Sequence, residues 1–298
     1  MPVYIDRIEE LSVEDRRALL NRAGTLPKEL LPAVREIVRN VRERRDAALH
    51  EYGARFDGVS LESFEVSPEE FGDALEAVGP AVVSALQVAI ENIRRFHEAQ
   101  LQPQPVVETL PGVRVWREWR PIERVGVYVP GGRAVYPSSV LMNAVPARIA
   151  GVSEVIMCTP PDRTGLVPAA TLVAASVAGM TRCFKLGGAQ AVAAMAYGTE
   201  SVPPVLKICG AGNPYVTAAK LLVSNDVAID MPAGPSEIMV IADGTADAAM
   251  LASDLLAQAE HGPDSAAVLV TPSAELAEEV AREVARQLDS LPLGDRAR

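Results

Sequence analysis

The sequence predicts an α/β protein in which N-terminal helices precede mainly parallel sheets. Three observations carry that expectation. The first hundred residues repeat their apolar positions at helical spacing. Beyond residue 125, short apolar runs alternate with helix-length stretches rich in small residues. Several of those runs end in glycine-bearing turns. Strands separated by helix-length segments pack as βαβ units around a parallel sheet.

Along the chain, Val34, Ile37, Val38, Val41, Ala48, Leu49 and Tyr52 fall on one helical face across 34–52, with Arg and Glu opposite. "SPEE" at 67–70 is a capping box with proline at the first helical position, so a helix starts at Ser67. After Pro80, the residues Val82, Leu86, Ile90, Ile93 and Phe96 mark another amphipathic helix. His50 and His97 lie near the ends of these helices among charges, where a histidine complements the helix dipole. A hairpin is expected at Pro111-Gly112. The strand-like runs are 125–129, 153–159, 182–186, 205–209, 237–243 and 266–272, and the segment after Ser273 reads as an amphipathic helix with a polar tail.

With 298 residues and 49% apolar residues, the chain has room for one large domain or two of ordinary size, and its composition fits a soluble globular protein. A net charge of −11 argues against a nucleic-acid binder, which needs a basic face. The N-terminus lacks the apolar stretch of a signal peptide. The weakly polar run 165–180 is too short and too rich in Ala, Ser, Thr and Pro to span a bilayer. Cys158, Cys183 and Cys209 are scattered and odd in number, which suggests reduced thiols in a cytoplasmic protein rather than a disulfide framework or a cysteine zinc site.

Three glycine-bearing turns run from strand into helix: "YVPGGRAVYPSSV" at 128–140, "LGGAQAVAAMAYG" at 186–198 and "CGAGNPYVTAAK" at 209–220. Glycines let backbone approach a ligand, and the helix N-terminus that follows favours anions such as a pyrophosphate. None completes G-x-G-x-x-G, and each alone is an ordinary tight turn. Together they converge on one edge of a parallel sheet and favour a cofactor crevice. In "DMPAGPSE", 230–237, Ser236 follows a rigid turn and can hydrogen-bond a substrate; no G-x-S-x-G elbow is present. A helix is expected over 247–261, ended by Gly262 and Pro263, with Gln258 and His261 three apart on one face. That pair is either half of a metal site or an ordinary helix end, and spacing alone favours the second.

In this order, "VGVYVPGG", "YPSSVLMNAVPARIAGV", "GGAQAVAAMAYGTESVP", "GAGNPYVTAAK", "AIDMPAGPSE" and "ASDLLAQAEHGPDS" resemble the L-histidinol dehydrogenase family, densely over 125–270 and more loosely before it. The resemblance implies two incomplete Rossmann-like parallel-sheet domains, here 1–127 plus 237–298 as the first and 128–236 as the second, NAD-binding one. It implies a zinc-dependent homodimer oxidising L-histidinol to L-histidine in two NAD-dependent steps. Position by position, it makes Tyr128, Gln190 and Asn213 contacts to NAD, Ser236 a contact to substrate, and Gln258 and His261 zinc ligands that also touch substrate. Ala211 stands where the family usually has proline. The family's Glu-His acid–base pair and its remaining zinc ligands are expected beyond residue 298, so these residues either form part of a longer or complemented enzyme or a non-catalytic subunit. A relative acting on a different amino or sulfonated alcohol is a further alternative.

Overall fold

The computed structural model describes residues 4–20, 29–131, 135–232, 236–261 and 265–291. In chain order the elements are α1 (Val13–Leu20), α2 (Leu30–Arg44), α3 (Asp46–Tyr52), a π-helical turn (Gly53–Asp57), α4 (Pro68–Val78), α5 (Pro80–Glu98), β1 (Val107–Leu110), β2 (Val113–Val115) and β3 (Arg124–Tyr128). There follow α6 (Pro137–Ile149), β4 (Glu154–Thr159), α7 (Ala169–Val177), β5 (Arg182–Lys185), α8 (Gly188–Tyr197), β6 (Lys207–Cys209), α9 (Pro214–Val223) and β7 (Ala228–Ile229). The last are β8 (Ile238–Ile241), α10 (Ala248–Ala259), β9 (Ala267–Val270) and α11 (Ala274–Leu288). The Gly262-Pro263 helix stop, part of the 230–237 turn and the polar tail fall outside the described residues.

Two compact units emerge: Leu26–Ala233, and Met1–Thr25 with Gly234–Arg298. The larger is built on a five-stranded parallel sheet of order β5-β4-β3-β6-β7. Its strands alternate sides at period two, so both faces are buried. Ile156, Cys158, Phe184 and Ile208 enter the core shared with α2, α3, α8 and α9. Val125, Val127, Val155, Met157 and Cys183 enter the core under α4, α5, α6 and α7. The boundary expected at 127/128 therefore lies within β3, the strand that pairs with both β4 and β6. The helices α2–α5, expected in the other domain, cover this sheet, because their apolar faces supply parts of both of its cores.

The smaller unit has the parallel pair β8-β9, with α10 and α11 burying Leu251, Ala252, Leu276 and Val280 against it. No single helix among the described residues is long and apolar enough to cross a membrane.

Among the described residues, side chains of Ser67, Asn213, Asp247 and Ser273 cap the starts of α4, α9, α10 and α11. At Ser67 the expected capping box is complete: Ser67 Oγ accepts from Glu70 N, and the Glu70 carboxylate accepts from Ser67 N. The continuous helix expected over 34–52 instead breaks at Arg45, which has φ +53°. The seven apolar residues are all buried as expected. The break is tertiary in origin, since the Arg45 guanidinium donates to the carbonyls of Tyr197 (2.8 Å) and Gly198 at the end of α8. In α5, Leu86 is buried, but Val82 and Phe96 are exposed, so the buried stripe is narrower than the spacing implied. The hairpin turns at Pro111-Gly112, with Gly112 at φ +81°.

Candidate functional site: a glycine-lined sheet edge and a helix end

In the large sheet the connections run one way from β3 to β4 and β5, and the other way to β6 and β7. The carboxyl ends of β3 and β6 therefore flank the switch point, where open α/β sheets form ligand crevices. Tyr128 ends β3 and is buried; Gly210–Asn213 follow β6. The fit is close. A Cβ on Gly212 would lie 2.9 Å from the Tyr128 ring and 2.6 Å from Val216, and a Cβ on Gly210 would overlap the Tyr128 carbonyl oxygen. Only glycine permits this approach, and Gly210 also needs φ +108°.

The turn after β5 joins the same edge through Tyr128. The Gly188 amide donates to the Tyr128 hydroxyl at 3.1 Å, so the phenol oxygen accepts and its own proton remains available to a ligand. Burial pushes the phenol up to about 12, which keeps that proton in place. Gln190 lies in the first turn of α8 and is 2% exposed. Its amide crosses Gly188, with Oε1 2.7 Å from where a Cβ on that residue would be. Among the described residues it has no hydrogen-bond partner. Among the described residues no enclosed side-chain nitrogen or oxygen lacks a partner, so the Gln190 amide opens to solvent at the glycine turn, where a ligand can reach it. Pro160, just past β4, fills the remaining space against Gly131 and Gly187.

Asn213 is the N-cap of α9: its Oδ1 accepts from Val216 N at 3.1 Å, leaving the exposed Nδ2 free to donate outward. Beneath the turn, the enclosed Lys220 ammonium donates to the Gly210 carbonyl at 2.8 Å and to the Asp230 carboxylate, which in turn accepts from Gly210 N at 2.7 Å. This ion pair fixes both backbone groups of Gly210. Tyr128, Gln190 and Asn213 thus share one edge, with glycines at the points of closest approach. Sequence reasoning missed Lys220, Asp230 and Asp57, whose carboxylate meets Gly187. Their proximity depends on the fold rather than on any local pattern.

In the smaller unit, Gln258 and Ser236 come together. The Gln258 amide nitrogen donates to the Ser236 carbonyl (2.6 Å) and hydroxyl (2.9 Å). This network assigns the amide orientation and leaves Oε1 as the free acceptor. His261 follows α10 in a turn closed by its own amide on the Gln258 carbonyl at 3.2 Å. Its Nδ1 lies 3.0 Å from the Ala257 carbonyl, which selects the tautomer protonated at Nδ1 and frees the Nε2 lone pair. One imidazole nitrogen and one amide oxygen therefore suit a borderline metal ion such as zinc. Among the described residues no group of three or more His, Cys, Asp or Glu is placed to hold a metal ion.

The family profile for histidinol dehydrogenase matches residues 20–298. The histidinol dehydrogenase of Methanosarcina mazei is 51% identical over 286 residues, covering 95% of this chain and 66% of the relative. That of Bacteroides thetaiotaomicron is 51% identical over 282 residues, covering 94% of this chain and 66% of the relative. The crystal structure of histidinol dehydrogenase from Elizabethkingia anophelis superposes with a TM-score of 0.90 at 41% identity, covering 96% of this chain and 66% of that one. The chain thus spans just under two thirds of the length of the relatives it matches.

Proposed function

The chain belongs to the histidinol dehydrogenase family, and on that premise we propose that it acts, within the complete enzyme, in the NAD- and zinc-dependent oxidation of L-histidinol to L-histidine. The observation that carries the cofactor reading is the Tyr128–Gly188 hydrogen bond with the Gln190 amide packed across Gly188, at the switch point of a parallel sheet. Tyr128, Gln190 and Asn213 hold the dinucleotide. Their free groups are a phenol proton, an amide and an N-cap amide nitrogen, all suited to its phosphate, ribose and carboxamide oxygens. When bound there, NAD would supply the hydride acceptor for both oxidations. The net change is L-histidinol, two NAD+ and water giving L-histidine, two NADH and three protons.

Ser236, Gln258 and His261 bind the substrate end. The Ser236 carbonyl and hydroxyl fix the Gln258 amide, so its Oε1 is presented as a ligand without further rotation. Gln258 Oε1 and His261 Nε2 would hold zinc, which would supply a Lewis acid for the substrate's alcohol oxygen. The working enzyme is read as a homodimer acting on a small molecule in the cytoplasm.

The test is reduced-nicotinamide formation by the full natural protein supplied with zinc, NAD+ and L-histidinol. Two NADH per L-histidinol supports the reading. Turnover of another amino or sulfonated alcohol in its place, or none with any, overturns it.

A further inference from the structure

The dinucleotide reading leaves one feature of the sheet edge unused. The π-helical turn Gly53–Asp57 ends at Gly58, which has φ +70° and closes the turn with its amide on the Gly53 carbonyl. Such turns are rare and concentrate at functional positions. This one places Asp57 against the glycine turn that opens α8, 130 residues away in sequence. Asp57 Oδ1 lies 3.2 Å from where a Cβ on Gly187 would sit, and that same Cβ would meet Pro160 at 2.7 Å. The carboxylate is half-buried and close enough to Tyr128 to raise the energy of its phenolate. Among the described residues no hydrogen bond or ion pair reaches it. Arg55, on the same turn, instead stacks on Phe56, and the neighbouring strand's Lys185 is committed to Glu70 at 3.0 Å.

Two polar groups without hydrogen-bond partners among the described residues therefore flank one glycine pair: the Asp57 carboxylate beside Gly187 and the Gln190 amide across Gly188. The carboxylate only accepts hydrogen bonds, and it repels phosphate. In a dinucleotide, the neighbouring donors that match it are ribose hydroxyls. We propose that Asp57 is a cofactor-selecting residue, accepting hydrogen bonds from a ribose of the bound dinucleotide and rejecting one that carries a 2′-phosphate. The inference rests on the dinucleotide reading above and deepens it. A role confined to complementing the α8 N-terminus would act on both cofactors alike; a selecting role separates them.

The experiment is calorimetric titration of NAD+ and NADP+ into the full natural protein and into its Asp57→Asn and Asp57→Ala variants. One charge-assisted hydrogen bond carries about tenfold in affinity. The wild type should bind NAD+ far more tightly than NADP+. Asp57→Asn should weaken NAD+ about tenfold and tighten NADP+ by about as much, narrowing the ratio roughly 100-fold, with Asp57→Ala moving the same way. An unchanged ratio, including equal weakening of both cofactors, overturns the selecting role. Failure of the wild type to bind NAD+ overturns the dinucleotide reading itself, a result distinguishable from the first. Thermal unfolding of each variant establishes that any change in ratio belongs to a folded protein.

Discussion

Gly210→Ala tests how tightly the edge is built. Gly210 has φ +108°, where an L-residue pays about 1–2 kcal/mol. The new Cβ would overlap the Tyr128 carbonyl oxygen and stand 3.0 and 3.1 Å from Tyr128 C and N. Tyr128 has nowhere to go: it is in register with Cys158 on β4, and the next amide, Val129 N, is bonded to the Cys158 carbonyl at 3.0 Å. The β6–α9 turn must yield instead, straining the bonds from Gly210 N to Asp230 and from Lys220 to the Gly210 carbonyl, each charge-assisted and contributing about 1.5 kcal/mol or more. The expected loss is about 4 kcal/mol, a large share of the ~5–15 kcal/mol of an ordinary domain. Gly58→Ala is the control. Its φ is +70° and nothing lies within 4 Å of the added Cβ, so only about 1 kcal/mol should be lost. Urea unfolding followed by circular dichroism compares the two. If Gly210→Ala costs no more than Gly58→Ala, the close approach of the two strand ends is not a constraint and the crevice geometry is wrong.

Other substitutions probe the charges and the metal. Burial raises Asp57 from 3.8 to about 6, so the folded protein holds a proton there that the unfolded chain has released. Stability should therefore fall as pH rises from about 3.8 to 6 and level off above. Asp57→Asn should abolish that slope and gain about 1–2 kcal/mol at pH 7, after discounting for partial exposure, as read by urea midpoints across pH. An unchanged slope would mean that the carboxylate is not desolvated. Lys220→Met leaves the Gly210 carbonyl and Asp230 without their cation. A loss of about 3 kcal/mol and weaker NAD+ binding are expected from denaturation and calorimetry, the low end of the range because Asp230 is a third exposed. Full stability and affinity in this variant would show that the pair does not hold the turn. His261→Ala should lower zinc per chain and turnover together in the complete enzyme, as measured by metal analysis and NADH formation; unchanged zinc would refute the ligand assignment.

Much of the fold was legible because its signals are local. The Ser67 capping box and the six strand-like runs depend on residues within a few positions of one another. What escaped the sequence is tertiary. The helix break at Arg45 follows from two carbonyls at the end of α8, more than 150 residues away. The two-residue strand β7 gives no periodicity to read, yet it completes the sheet and carries the chain into Asp230. The glycine turns were legible as a local pattern, whereas Tyr128, Gln190 and Asn213 in and beside them were singled out only by the family resemblance. Asp57, equally close to those glycines, lies in "GARFDGVS", where nothing marks it. At the helix end, the i, i+3 spacing of Gln258 and His261 left ligand and plain helix terminus open. The partners that free Oε1 and Nε2, Ser236 and the Ala257 carbonyl, became visible only in the structure.

The central claim is that the glycine turns at the ends of β3, β5 and β6 hold NAD. Hydrogen exchange of backbone amides, with and without NAD+, tests it directly on the full natural protein. The account predicts protection on binding at the Gly187–Gly188 turn into α8 and at the Gly210–Asn213 turn into α9, with the exposed β1–β2 hairpin unchanged. Protection that avoids both turns, or none at saturating NAD+, would contradict it.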